Sequence, residues 1–554
     1  MPVPFIFTVE TRMIIQQQNA KVLMTALVLA AMTAAASAQQ PSGPATAAPA
    51  APMQTQTVDR YVVGQAKPPI EPGSSIRDLS LQQAIDVALE NNLALKVAKL
   101  NPQIQDYSLV QARAAFRPTM SSAFQQNSSS RVSTNANEGV SMVTDQSQNY
   151  STSFQQNLSK FGGSYTAQYT TRRSSNNTLN NLRPLQYTGS TSFNYTQPLL
   201  ANFKIDDRRN TLRTQAVQRQ IVDIQLQTTI ENTKASVRTA YWGLRRTIEQ
   251  VEIQRRALEL SQRLWTDNRT KVEIGTMAPI DLYQNEATVA ANEQALINAQ
   301  INFRNSEMAF KQLLASGTDD PIYGQTINPT EQPPSLEQVT VDIPKAVKSA
   351  LDLRTDLTQQ RKTLEVRTFN LEVTKNSTKP TLTLSTGYTL SGTGGDSYFS
   401  VNQQRGALNQ AGGYTDVLRN IYQVNQPNWN INVNFNYPLG MVSQRAAYAR
   451  AQIQFQQSQA SLKQQELAVF TDVTTAGLSV QNTWQQLNAA RKSREAAEKQ
   501  AEAEQTRFDN GMSNNYNIAL AQNDLTSRRL SELNAIIGYV NAIADFEKAQ
   551  KVGR

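Results

Sequence analysis

The stretch Asn428-Trp429-Asn430-Ile431-Asn432-Val433-Asn434-Phe435-Asn436-Tyr437 alternates without a break. Successive side chains of a strand point to opposite faces, so this pattern predicts a strand with two unlike faces. Trp429, Ile431, Val433, Phe435 and Tyr437 form one face, and Asn428, Asn430, Asn432, Asn434 and Asn436 form the other. A soluble sandwich would bury the apolar face under a second sheet. A membrane barrel would turn it to lipid and turn the amides to water, with the aromatic residues at the interfacial belts. Thr381 to Leu390 has the same form: Leu382, Leu384, Tyr388 and Leu390 lie opposite Thr381, Thr383, Ser385 and Thr389. Ser192 to Gln197 carries Phe193 and Tyr195 and ends at Tyr195-Thr196-Gln197-Pro198, matching the strand that stops before Pro438. Thr152 to Arg173 reads as a hairpin turning at Phe161-Gly162-Gly163-Ser164, either in the barrel wall or in an outer loop.

The N-terminus favours the membrane reading. Lys21 precedes an apolar run from Val22 to Ala36 that ends in Ala36-Ser37-Ala38. That is the form of an export signal cleaved after Ala38, with Ala36 and Ala38 as the small residues of the site. The run is shorter than the roughly 20 residues a spanning helix needs, and no later stretch resembles one. Membrane insertion would therefore use strands. Residues 39–78 are rich in Pro, Ala, Gln and Ser and predict a disordered leader, with order beginning near Leu79.

Composition narrows the function. The 554 residues include no Cys and no His. Disulfides, thiol catalysis, acylation of an N-terminal Cys and the commonest general base are all excluded. The net charge of +9 is spread through predicted helices among Asp and Glu, so it reads as solvated faces and not as a nucleic-acid surface. Glu286, Glu293 and Glu307 stand at helical spacings, with no convergent acid pair. The reading is of a protein that is not an enzyme and carries no cofactor or metal.

The chain is internally duplicated. Leu81-Gln82-Gln83-Ala84 through Leu89 resembles Ile343-Pro344-Lys345-Ala346 through Leu351, and Tyr107 and Pro118 recur at the same shift as Phe369 and Pro380. Pro198 recurs as Pro438 and Gly275 as Gly511. Each half then carries long heptads: Ile230, Val237, Leu244, Val251, Leu258, Trp265 and Val272 in one, and Val473, Val480, Leu487, Arg494, Ala501 and Phe508 in the other. Sustained heptads predict coiled-coil packing. Each long helix stops at a Gly-containing turn, and a return helix follows. The expected organisation is a signal (1–38), a leader (39–78), a first repeat (79–316, strands within 119–197 and a helical hairpin over 199–316), a linker (317–342) and a second repeat (343–550, strands within 381–437 and a hairpin over 439–550).

This ordered set resembles the TolC family of outer-membrane factors over roughly residues 79 to 550. The resemblance rests on the duplicated Ala-rich opening helix, Ala114-Ala115-Phe116-Arg117-Pro118, Tyr195-Thr196-Gln197-Pro198-Leu199-Leu200, and the two tips. It implies an α+β membrane protein: a homotrimer sharing one outer-membrane β-barrel, continued by a long periplasmic α-helical barrel. It also implies a passive conduit for efflux or type I secretion, docked by its tips to a periplasmic adaptor beneath an inner-membrane RND or ABC pump. The tip and gate positions would be Gly275, Thr276, Asp281, Gly511, Ser513, Asn514 and Asn517. The acids and the Arg that latch familiar members shut are replaced by Asn517, Leu520 and Ser513 after Gly511. Only Asp281, six after Gly275, keeps its acid, and it could equally be the N-cap of the return helix. Hydrogen bonds from Asn514, Asn515 and Asn517, or apolar closure by Met512, would replace the latch. The competing reading is an exported coiled-coil rod without a channel.

Overall fold

The structure is a computed structural model and describes residues 64–70, 74–275, 277–333 and 337–553. The proposed signal, with Ala36 and Ala38, lies outside the described residues, as does Thr276. Strand β1 (Ser75–Leu79) leads into helices α1 (Leu81–Asn91) and α2 (Leu93–Ala114). Four strands follow: β2 (Thr119–Val132), β3 (Met142–Asn157), β4 (Ser164–Asn176) and β5 (Leu185–Pro198). The first helical hairpin is α3 (Asp207–Glu273) and α4 (Ile280–Leu314), and β6 (Gln325–Pro329) closes the first half. The second half runs α5 (Ile343–Leu353), α6 (Thr355–Ser377), β7 (Thr381–Gly394), β8 (Ser397–Val401), β9 (Gln404–Gln410), α7 (Tyr414–Tyr422) and β10 (Pro427–Asn436). It ends in the hairpin α8 (Val442–Asp509) and α9 (Asn515–Ala549).

Helices α3 and α8 have 67 and 68 residues. At 1.5 Å per residue each is about 100 Å long. Their heptad positions form the core: Val237, Leu244, Val251, Val473, Val480 and Leu487 are all buried. One polar heptad position, Arg494, is paired across the hairpin. Arg494 Nε donates to Glu532 Oε2 at 2.9 Å, joining α8 to α9. No helix among the described residues is long and apolar enough to cross a membrane.

The duplication is written into the contacts. The opening helix of each half breaks at one position, Asn92 in the first and Arg354 in the second. Asn92 Nδ2 donates to Leu313 O at 3.1 Å, and Arg354 Nη1 donates to Ala549 O at 3.3 Å. Each side chain therefore holds the C-terminal end of its own return helix, where unpaired carbonyls need donors. The linker is clasped by two tyrosines in the same way. Tyr241 Oη donates to Leu79 O and accepts from Glu331 N–H, at 3.1 and 3.0 Å. Tyr539 Oη donates to Glu337 O and accepts from Val339 N–H, at 2.9 and 3.0 Å. Tyr241→Phe strands a buried amide and carbonyl, a loss of about 1–3 kcal/mol. The expected result is a lower melting temperature, with faster proteolysis in the linker around Glu331.

The leader boundary needs correction: order begins before Leu79. Gly64 N–H and Ala66 N–H donate to Glu249 Oε1 at 2.8 and 3.3 Å, and β1 pairs in parallel with β6 from Ser75↔Gln325 onward. Composition missed this because the segment is held by partners far along the chain, not by its own pattern. Burial pushes the Glu249 carboxyl up to about 7, against the pull of those two amides.

Candidate channel wall and tips

Strands β10-β7-β5-β4-β3-β2, in that order, form one antiparallel sheet. The hairpin whose place the sequence left open, β3–β4, is in the middle of it. Residues directly opposite in a sheet share a face. One continuous row reads Met120, Phe154, Ala167, Phe193, Tyr388, Trp429 across all six strands. The adjacent row on the other face reads Thr119, Gln155, Thr166, Asn194, Gly387, Asn430. One face is thus apolar and aromatic, the other amide and hydroxyl. Trp429, at 70 %, Ile431, Val433, Phe435 and Phe193 are exposed although large and apolar. Tyr195 shares this face but is half-buried, its hydroxyl on Gln197. Tyr437 falls one residue beyond β10, which ends at Asn436. Charged residues on these strands are confined to Arg131, Asp145, Arg172 and Arg173, all at the end away from the long helices.

Gly387 has a specific reason to be glycine. A Cβ there would lie 2.3 Å from Asn430 Oδ1 and 2.8 Å from Asn194 Oδ1, so the two amides converge over it. At the far end, the connections pack on one another. Leu179 N–H donates to Glu138 O at 2.9 Å, and Tyr398 N–H to Leu182 O at 3.0 Å. Helix α7, which the sequence reading missed, covers the upper margin of the apolar face. Its Val417 is buried against Gly189, Gly392 and Gly394.

The other end of the molecule holds the two tips. Gly275 and Gly511 both have positive φ, 77° and 72°, and nothing lies within reach of a Cβ at either. Asn514 caps α9 by accepting from Asn517 N–H at 3.0 Å. Ser513 Oγ donates to Glu504. Asp281 is the second residue of α4, whose N-cap is Pro279. The two hairpins meet at a residue that sequence reasoning passed over. Asn268 of α3 is fully buried and donates from Nδ2 to Asn515 Oδ1 at 2.8 Å. Asn515, itself buried, donates from Nδ2 to Met277 Sδ at 3.3 Å. Beside this link the tips expose Ile274, Ile280 and Tyr283 from one hairpin and Met512, Tyr516 and Leu520 from the other.

The comparisons with known proteins agree with this architecture. No curated protein matches the sequence. The CmeC outer membrane channel of Campylobacter jejuni superposes with a TM-score of 0.59 at 15% identity, covering 85% of each chain. The outer membrane protein VceC of Vibrio cholerae gives 0.60 at 14% identity, covering 85% of this chain and 96% of its own. The open MtrE channel of Neisseria gonorrhoeae gives 0.55 at 15% identity, covering 90% and 96%. At such identities the likeness is one of fold. The sequence model described as outer membrane efflux protein matches residues 346–548. That segment is similar to the outer membrane efflux protein family, and the described residues as a whole share the fold of these outer membrane channels.

Proposed function

We propose that the chain is the outer-membrane channel subunit of a tripartite efflux or type I secretion system, working as a homotrimer. The two-faced sheet continuing into helical hairpins about 100 Å long carries this reading. Lipid suits the exposed aromatic face, and a water-filled path suits the amide face. A coiled-coil rod would need neither. Solute would cross passively, with energy supplied by an inner-membrane pump. The apolar tip residues Ile274, Ile280, Tyr283, Met512, Tyr516 and Leu520, with the turns at Gly275 and Gly511, are the surface offered to a periplasmic adaptor.

Two substitutions one residue apart test the lipid-facing assignment. Val433→Lys puts a charge on the proposed lipid face at a cost of about 2–4 kcal/mol. Asn432→Lys puts the same charge in the proposed lumen. The expected result is loss of outer-membrane trimer for the first and near-normal trimer for the second. Equal yields would reject the assignment. Channel activity is tested by reconstitution in planar bilayers, where the wild-type protein should give discrete conductance steps. A silent bilayer from intact trimer would overturn the conduit.

A further inference from the structure

We propose that all six strands of each copy enter the barrel wall, so that three copies close an eighteen-stranded barrel through β2 of one copy and β10 of the next. This rests on the trimeric channel reading and goes beyond it by fixing the seam and the width of the pore.

The sheet is open. Strands β2 and β10 are its edges, and every residue of both is exposed. Both edges carry the lipid-type face, Met120 and Phe124 on one and Trp429, Ile431, Val433 and Phe435 on the other. An unpaired backbone edge in hydrocarbon costs several kcal/mol per group, so each edge must find a strand. A second copy supplies it with the right polarity. Six antiparallel strands give edges that run in opposite directions. β2 of one copy therefore meets β10 of the next in antiparallel pairing, and the apolar rows continue across the seam. An odd number of strands would break that pairing at every seam.

The β3–β4 hairpin is built into the wall at both ends and along its length. Its turn is locked to the junction of sheet and helices. Gln197 Nε2 donates to Phe161 O at 2.6 Å, and the Phe161 ring stacks on Phe203 with centroids 5.1 Å apart. Asn157 Nδ2 donates to Ala115 O and Gln156 Nε2 to Phe116 O, at 3.0 and 3.1 Å, just after α2. Along the lipid face, Phe154, Tyr165 and Phe193 stack from β3 across β4 to β5, with centroids 6.5 and 6.1 Å apart. At the far end, Asp145 of β3 accepts from Asn176 of β4.

The consequence is a wide pore. With strands about 4.8 Å apart and tilted by about 40°, each takes about 6 Å of circumference, and eighteen enclose a backbone diameter of about 35 Å. Three copies also bring twelve helical columns below the barrel. At 8–10 Å between axes these form a ring of about the same size. The barrel would then not narrow the path, and selection would fall to the tips and to the connections at the far mouth.

The chain has no Cys, so introduced pairs report cleanly. Ser121 and Ser153 face each other across β2 and β3 with their hydroxyls 2.8 Å apart. Ser121→Cys/Ser153→Cys should oxidise to an intrachain disulfide. Asn432→Cys on β10 combined in turn with Ser121→Cys, Ala123→Cys and Gln125→Cys on β2 should give one register that forms covalent trimers at three times the chain mass. Imaging of wild-type trimers in nanodiscs should count eighteen strands. Trimers with twelve strands, or a disulfide in Ser121→Cys/Asn194→Cys in place of the 121–153 pair, would put β2 directly beside β5. That result overturns the eighteen-stranded wall and leaves the channel reading standing. Absence of any trimer overturns both.

Discussion

Arg354→Ala is expected to lower the stability of the folded chain by about 3–5 kcal/mol, the range for breaking a buried ion pair from one side. Arg354 is 1 % exposed. Its Nε and Nη2 donate to the two oxygens of Asp356 at 3.0 and 2.7 Å, a bidentate pair. Nη1 and Nη2 reach Asp472 of α8 at 3.5 and 3.4 Å, and Nη1 also holds Ala549 O. One side chain thus ties α6, α8 and the end of α9. Its removal leaves Asp356 and Asp472 partly buried without their cation. The measurement is thermal or guanidinium unfolding of the purified protein, with outer-membrane trimer yield alongside. The duplicate position supplies the control. Asn92→Ala loses the neutral amide version of the same tie, worth about 1–2 kcal/mol. Comparable losses at both positions would show that charge adds nothing there.

The same pair sets a pH dependence. Burial alone would raise the Asp356 carboxyl, but the hydrogen bonds and charge of Arg354 outweigh it and hold the carboxyl below its ordinary value of 3.8. A group whose folded value is depressed stabilises the fold above its unfolded value. That contribution is lost as the pH falls through the folded one. The difference between wild type and Arg354→Ala should therefore be full at neutral pH and shrink below about pH 4. A gap that widens in acid would contradict the assignment.

How much of this was legible in the sequence depended on pattern strength. The β10 alternation and the recurrence of Ala84 as Ala346 or Gly275 as Gly511 need only spacing, and they led to the channel fold. The six-stranded sheet did not announce itself. β2 and β3 carry few large apolar residues, chiefly Met120, Phe124, Tyr150 and Phe154, among Ser, Gln and Asn. Such strands read as polar coil until their partners are known, because a face of amides and hydroxyls leaves half of each strand without an apolar signal. The hold on Gly64 and Ala66 was invisible for a different reason: Glu249 lies 185 and 183 residues away. At the tips, reasoning by heptad stepped from Trp265 to Val272 and passed over Asn268. A single amide inside an apolar stripe is a weak sequence signal but a strong structural one, since a buried polar group must find a partner.

That amide leads to the second large effect. Asn268→Ala is expected to loosen the tip and raise the open probability of the reconstituted channel. Near the tips Asn268 links α3 to α9, and Asn515 extends the link to Met277 in the first tip turn. Asn268 Oδ1 already lacks a donor among the described residues, so the contact depends on one good hydrogen bond. Removing Asn268 leaves the buried Asn515 carbonyl unpaired, at about 1–3 kcal/mol per tip. On the proposed trimeric reading, with the three tips opening together, the penalties add to several kcal/mol against the closed state. Since each 1.4 kcal/mol is tenfold, the closed-to-open ratio should fall by at least a hundredfold. Planar-bilayer recording measures this directly, and greater sensitivity of cells to large antibiotics reports it in vivo. The double variant Asn268→Leu/Asn515→Leu separates the link from mere disruption. Replacing both partners by apolar groups of similar size removes the unpaired amide and restores a packed contact, so closure should largely return. Single variants that stay as tightly shut as wild type would show that the tip is held elsewhere.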